Sequence, residues 1–147
     1  MNSKTLLAAL VGGIVCFLLG FLVFGILLDS FFKAHTVMYD GLMKDPKSFG
    51  APSMIAIFVA NLAMSLLVAL ICSWSNMVGL MKGAVIGGTV GFITQLNYDL
   101  FNVALMNLYT DSTIVVVDVV LGAIFWSVIG GIIGWMMARG RKAEIAV

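Results

Sequence analysis

The sequence predicts an all-α, polytopic membrane protein with four transmembrane helices and a short interfacial segment between helices one and two. Three observations carry that prediction. Of the 147 residues, 62% are hydrophobic and only 10% charged, at a mean hydropathy of +1.14, a balance outside that of soluble globular domains. Long uncharged runs recur at the length a bilayer demands, about 20 residues per span. The chain length then leaves room for four spans, one sizeable loop and no extramembrane domain, so residues 1–147 are expected to form a single domain.

The first span is placed at about residues 5–29, because Thr5 to Leu28 carries no charge. Following Lys4, this run has the look of a secretory signal. It is too long for the apolar region of one, however, and no A-x-A-like cleavage site follows. Val15 stands where a lipoprotein signal has a small residue before its cysteine, so Cys16 is not read as a lipidation site. Residues 30–51 form the long loop. Phe31, Phe32, Met38, Tyr39, Leu42 and Met43 make it too apolar for a free tether, which predicts a short helix lying in the membrane interface. His35 stands alone there and reads as an interface residue, not a ligand.

The second span is placed at about 53–74, with Pro52 suited to a helix first turn and Ser73-Trp74-Ser75-Asn76 as the break. The third runs from about 77 to 107, starting near Met77 or Gly83, since neither Gly nor Pro interrupts its later part. The fourth runs from about 113 to 138 and ends at Arg139-Gly140. The turn around Tyr109-Thr110-Asp111-Ser112 is short, so spans three and four should be antiparallel neighbours.

Basic residues near the ends set the orientation. Lys4, Lys82, Arg139, Arg141 and Lys142 fall on one side of a four-span arrangement, whereas Lys33, Lys44 and Lys47 fall on the other, interspersed with Asp40 and Asp45. Both termini are therefore expected in the cytoplasm. Trp74 and Trp135 then belong to an inner aromatic belt, and Phe31, Phe32, Tyr39 and Tyr109 to an outer one. A net charge of +1 without a basic stripe argues against a nucleic-acid partner. Cys16 and Cys72 lie in apolar runs without C-x-x-C spacing or an accompanying His, so they read as small core residues; no metal site or cofactor is indicated.

Most of the glycines fall within the spans, where they allow helices to approach closely. Span one carries Ala9, Gly13, Cys16 and Gly20 on one face, span three opens with Gly83, Gly87, Gly88 and Gly91, and span four carries Gly122, Gly130, Gly131 and Gly134. Glycine faces on three of four spans are more than one small bundle needs to close itself. This predicts a homo-oligomer, or docking on membrane partner subunits.

In span three the small-residue stripe turns polar. Gly88, Gly91, Gln95, Tyr98, Asp99 and Asn102 recur at three- and four-residue steps and share a face. At 1.5 Å per residue, Asp99 lies roughly 12 Å below the outer end of its helix, Asn61 in span two about 12 Å and Asp118 in span four about 8 Å. The sequence thus predicts one outward-facing polar zone of Asn61, Gln95, Tyr98, Asp99, Asn102 and Asp118, centred on Asp99. Carboxylates inside apolar spans cost a few kcal/mol or more and face a partner helix or a wet cavity. As a ligand-binding zone, this one suits a cation, proton or polar solute. As structural glue, its acids and amides would hydrogen-bond between helices. Apart from Lys82 at the opposite end of span three, no span supplies a basic residue to neutralise the two acids.

Catalytic motifs are missing from the sequence: there is no H-E-x-x-H, no G-x-S-x-G and no phosphate loop of the G-x-x-x-x-G-K-[ST] type. Asp99 and Asp118 are the only residues that an aspartyl intramembrane hydrolase reading has to work with. The sole His lies outside the spans, which disfavours haem ligation.

The Gly13-x6-Gly20 pattern leading into the aromatic stretch from Phe21 to Phe32, the long apolar second span and the Gly83-to-Gly91 opening resemble a group of uncharacterised bacterial four-helix membrane proteins. Tyr98-Asp99-Leu100-Phe101-Asn102 resembles the tyrosine-aspartate-leucine-threonine-asparagine signature of another uncharacterised four-helix family, with Phe101 in place of the threonine and Asp118 near that family's later aspartate. The resemblance implies a bacterial inner-membrane protein and brings no established activity. The functional expectation is a small channel, transporter or solute-binding membrane protein surrounded by lipid. The alternative is a non-catalytic accessory or assembly subunit of a larger membrane complex.

Overall fold

A computed structural model of the chain describes residues 3–39 and 50–145, with side chains as far as Arg139. Asp40, Leu42, Met43, Lys44, Asp45 and Lys47 of the expected interfacial loop, and the side chains of Arg141 and Lys142, lie outside the described residues. The described chain is helical: α1 (Ser3–Leu22), a π-helical turn (Val23–Leu27), α2 (Asp29–His35), α3 (Ala51–Trp74), α4 (Leu80–Leu105) and α5 (Thr113–Ile145).

Three stretches are long and apolar enough to cross a membrane: Ser3–Leu27, Ala51–Trp74 and Thr113–Arg139. Helix α4 matches them in length at 26 residues. Its later half carries Gln95, Asn97, Asp99 and Asn102, which make it less apolar than the other three. The element boundaries follow local chemistry. Pro52 sits in the first turn of α3, where its missing N–H costs no hydrogen bond. Helix α4 begins after Gly79, whose φ of +119° a side chain rarely tolerates. The expected start near Met77 or Gly83 resolves to Leu80 for that reason.

The first span is not one regular helix. Leu28 N–H bonds the Val23 carbonyl at 2.9 Å, an i to i−5 closure that inserts a residue and breaks the helical register before α2. The chain beyond α2 then joins the α4–α5 loop through a short antiparallel pairing of Thr36 with Tyr109. Val37 N–H donates to Leu108 O at 2.7 Å and Thr110 N–H to His35 O at 3.0 Å. Tyr39 adds a bond from its hydroxyl to Asn107 O at 3.0 Å.

The helices pack as two pairs, α1 with α3 and α4 with α5, and α1 lies against α5 to join them. The buried core contains Ala8, Ala9, Cys16, Val68, Ala69, Cys72, Ile129 and Ile133, so both cysteines are small core residues as expected. As the short turn predicts, α4 and α5 are intimate neighbours. A Cβ added to Gly83 would lie 2.8 Å from Gly134 Cα, one on Gly87 2.8 Å from Gly130 Cα, and one on Gly91 2.6 Å from the Gly122 carbonyl. Backbone meets backbone at three successive turns, and Gly79 N–H bonds Gly134 O across the pair at 2.8 Å. These glycine faces are occupied inside one chain, which removes them as grounds for a homo-oligomer.

Candidate functional site

The polar half of α4 and the start of α5 meet the π-helical turn and α2 around a cleft of about 620 Å³. Phe24 reaches it from the π-helical turn, Asp29, Phe32 and Lys33 from α2, Gln95 and Tyr98 from α4, Tyr109 from the loop and Asp118 from α5. Phe24 lies within the register break at residues 23–27, and α2 follows it directly. Phe24 is held between Phe32, with ring centroids 5.9 Å apart, and Phe125 at 5.6 Å.

The zone expected from the sequence divides into three. Gln95 and Asp118 come together across the α4–α5 interface, Gln95 Nε2 donating to Asp118 Oδ2 at 2.6 Å. Tyr98, one turn from Gln95, lines the cleft with more than half of its surface exposed. Asp99 and Asn102 are buried behind this wall and meet at Tyr109, whose hydroxyl donates to Asp99 Oδ1 at 2.7 Å and accepts from Asn102 Nδ2 at 3.3 Å. Gln95 stands between the two carboxylates, within electrostatic reach of Asp99 as well as bonded to Asp118.

Asn61 is elsewhere. Its side chain accepts from Cys16 Sγ at 2.9 Å and donates to Ile57 O at 2.9 Å, joining α1 to α3, and it does not line the cleft. Equal depth along two helices did not mean adjacency, because Asn61 faces α1 rather than α4.

Tyr109 is the residue that the sequence reading assigned to an aromatic belt and the fold assigns to the site. The strap pairing of Thr36 with Tyr109 holds its backbone while its ring turns inward to Asp99. Burial, and secondly the hydrogen bond to Asp99, push its phenol above the ordinary range, so it remains a neutral donor. A short turn ten residues after an intramembrane aspartate was the one signal in the sequence that could have brought the two together.

Electrostatics mark the site as acceptor-rich. Asp29 and Lys33 in α2 pair with each other at 2.7 Å, so the one lysine lining the cleft among the described residues is already engaged. Asp118 makes no ion pair among the described residues, and Asp99 Oδ2 is shut from solvent with no hydrogen-bond partner. His35 lies above the strap, stacked on Phe31 at 4.3 Å, with Nε2 4.0 Å from Asp111 Oδ2. Among the described residues no three His, Cys, Asp or Glu side chains stand together as a metal-holding group. The arrangement can accept hydrogen bonds and positive charge on one side of an otherwise apolar cleft. Comparison of the chain with protein-family models, curated proteins and solved structures finds no match.

Proposed function

We propose that the chain is a four-span bacterial inner-membrane protein that binds a cation or small polar solute at its outward-facing end, as a channel, transporter or solute-binding protein. The observation that carries this reading is the cleft itself, in which Asp118 has no ionic partner among the described residues and Asp99 lies unsatisfied just behind. Interhelical glue would leave neither a cleft beside one carboxylate nor an unpartnered oxygen on the other, because a buried acceptor without a donor costs free energy.

Helix α4 becomes the fourth span through its packing. It runs against α5 over successive turns at backbone contact, so if α5 crosses the bilayer α4 crosses with it. Its polar residues near one end then line or back the cleft, except Asn97, which is exposed. Four spans place both termini on one side, and Lys4, Lys82 and Arg139 assign that side to the cytoplasm. The exposed Trp74, and Trp135 with Arg139 4.0 Å over its ring, fit the inner interface.

Asn97 favours a second reading, in which α4 docks on another subunit, either a further copy or a partner in a larger complex. An exposed amide within a span gains from an interhelical hydrogen bond. Uptake into proteoliposomes, measured for inorganic cations, amines and neutral solutes, tests the first reading. Asp118→Asn and Asp99→Asn should abolish uptake while the fold survives, whereas unchanged or improved stability with no uptake by the parent chain supports the docking role. A cytoplasmic signal from a reporter fused in the 40s would sink the topology.

A further inference from the structure

We propose that the cleft takes a lipophilic ammonium ion, its positive nitrogen against Asp118 and its apolar body against the wall formed by Phe24 and Phe32. This rests on the solute-binding reading and narrows it to a chemical class. Charge comes first. Of the ionisable groups lining the cleft among the described residues, Asp29 and Lys33 neutralise each other at 2.7 Å, which leaves Asp118 as the unbalanced charge. Gln95 engages only its Oδ2, so the carboxylate retains acceptor capacity for a cationic N–H. An anion or a zwitterion would need a free cationic side chain, and the cleft's lysine is engaged.

Shape and lining then separate an organic cation from an inorganic one. A volume of about 620 Å³ is that of a small-molecule site and far exceeds a bare ion. A hard divalent ion needs about six oxygen ligands, whereas no metal-holding group of side chains exists among the described residues. Four aromatic rings line the cleft instead: Phe24, Phe32, Tyr98 and Tyr109. Ring faces attract ammonium groups electrostatically, and more strongly where water is excluded. The same rings, with Leu108 and Ile114, suit an apolar body that a hydrated metal ion lacks.

The test is equilibrium binding of radiolabelled phenethylammonium to the full chain in nanodiscs of zwitterionic lipid. Na⁺, Mg²⁺, phenylacetate and neutral phenylethanol serve as competitors and, in parallel, as direct probes. Saturable binding that resists phenylethanol, weakens at least tenfold in Asp118→Asn and several-fold in Phe32→Leu, and survives in Asn61→Leu is the expected result. Should Asp118→Asn fail to fold in a thermal melt, loss in Phe32→Leu with retention in Phe32→Trp supports the assignment in its place. Asp118-dependent binding of a metal ion, the carboxylate or the alcohol in preference to the amine overturns the ammonium assignment and leaves the solute-binding reading standing. Amine uptake that is unsaturable or indifferent to both substitutions is lipid partitioning and overturns the assignment. No Asp118-dependent binding of any probe overturns both.

Discussion

The α1–α3 pair and the α4–α5 pair use small residues in opposite ways. In the first, Gly13 is the α1 glycine that meets α3, and an added Cβ would meet the Leu62 side chain first, Cδ2 at 2.5 Å, with Leu62 Cα at 3.1 Å; Gly12 and Gly20 face Ile133 and Phe125 of α5 instead. In the second, Gly83 and Gly87 face Gly130 and Gly134, and a Cβ added to any of these four meets main chain. A side-chain tip can rotate away, but a backbone moves only if the helix moves. The rigid pair is also the one that carries Gln95, Asp99 and Asp118, while in the first pair Cys16 donates to Asn61. Close backbone approach fixes the carboxylates relative to one another, and the more forgiving pair supplies the apolar packing behind them.

The contrast between the pairs breaks most visibly at Gly87. Gly87→Val should cost about 3 kcal/mol, because overpacking against main chain forces the helices apart. Gly13→Val, set first against the Leu62 side chain of α3, should cost about 1 kcal/mol. Unfolding of the two variants in detergent, side by side, measures the contrast, and equal losses would remove the distinction between the pairs.

Tyr109→Phe is the next largest effect. It deprives buried Asp99 of its donor and Asn102 of its acceptor, with an expected loss of about 1–3 kcal/mol. The same phenol gives a pH dependence. Because its folded pKa is raised above the unfolded value of about 10, its contribution is fully present below that pH and is lost as pH rises through the folded value. Alkaline unfolding followed by phenolate absorbance should therefore begin above about pH 10 in the parent chain. That part of the slope should vanish in Tyr109→Phe.

Asp111 responds at the other end of the scale. The hydrogen bonds from Thr113, its side chain first and then its amide, hold the carboxyl below the usual 3.8. The contribution of this helix-start contact is present above the unfolded value and is lost as pH falls through the lower folded one. A carboxyl-carbon NMR titration of Asp111 should show a midpoint below 3.8. The smallest effect is expected in the first pair. Asn61→Leu removes the contact with Cys16 at a cost of about 0.6 kcal/mol, the average for an interhelical hydrogen bond between spans, and leaves binding in the cleft unchanged.

Much of the architecture was legible because helix ends have local causes. Pro52, the Ser73-to-Asn76 break and the 109–112 turn lie where helices start and stop, and the bounds they set fall within a few residues of those expected, whereas Arg139-Gly140 does not end α5, which continues to Ile145. The Gln95, Asp99 and Asn102 spacing correctly placed three polar groups along one side of α4. Neither the π-helical turn nor the strap was legible. Val23 to Leu27 is as apolar as its surroundings, and the pairing of Thr36 with Tyr109 joins residues distant in sequence that carry no matching motif.

The sequence by itself determined the helical composition, the approximate ends of each helix and the height of each polar residue along its own axis, because these depend on hydropathy, capping and a fixed rise per residue. Only the tertiary structure decided who faces whom. Rotation of a helix about its axis, and its choice of neighbour, come from packing between distant segments. Glycine contacts lock α4 onto α5 and so bring Gln95 to Asp118. The Cys16 contact turns Asn61 toward α1. The strap brings Tyr109 onto Asp99, although the sequence alone had assigned that ring to the outer aromatic belt.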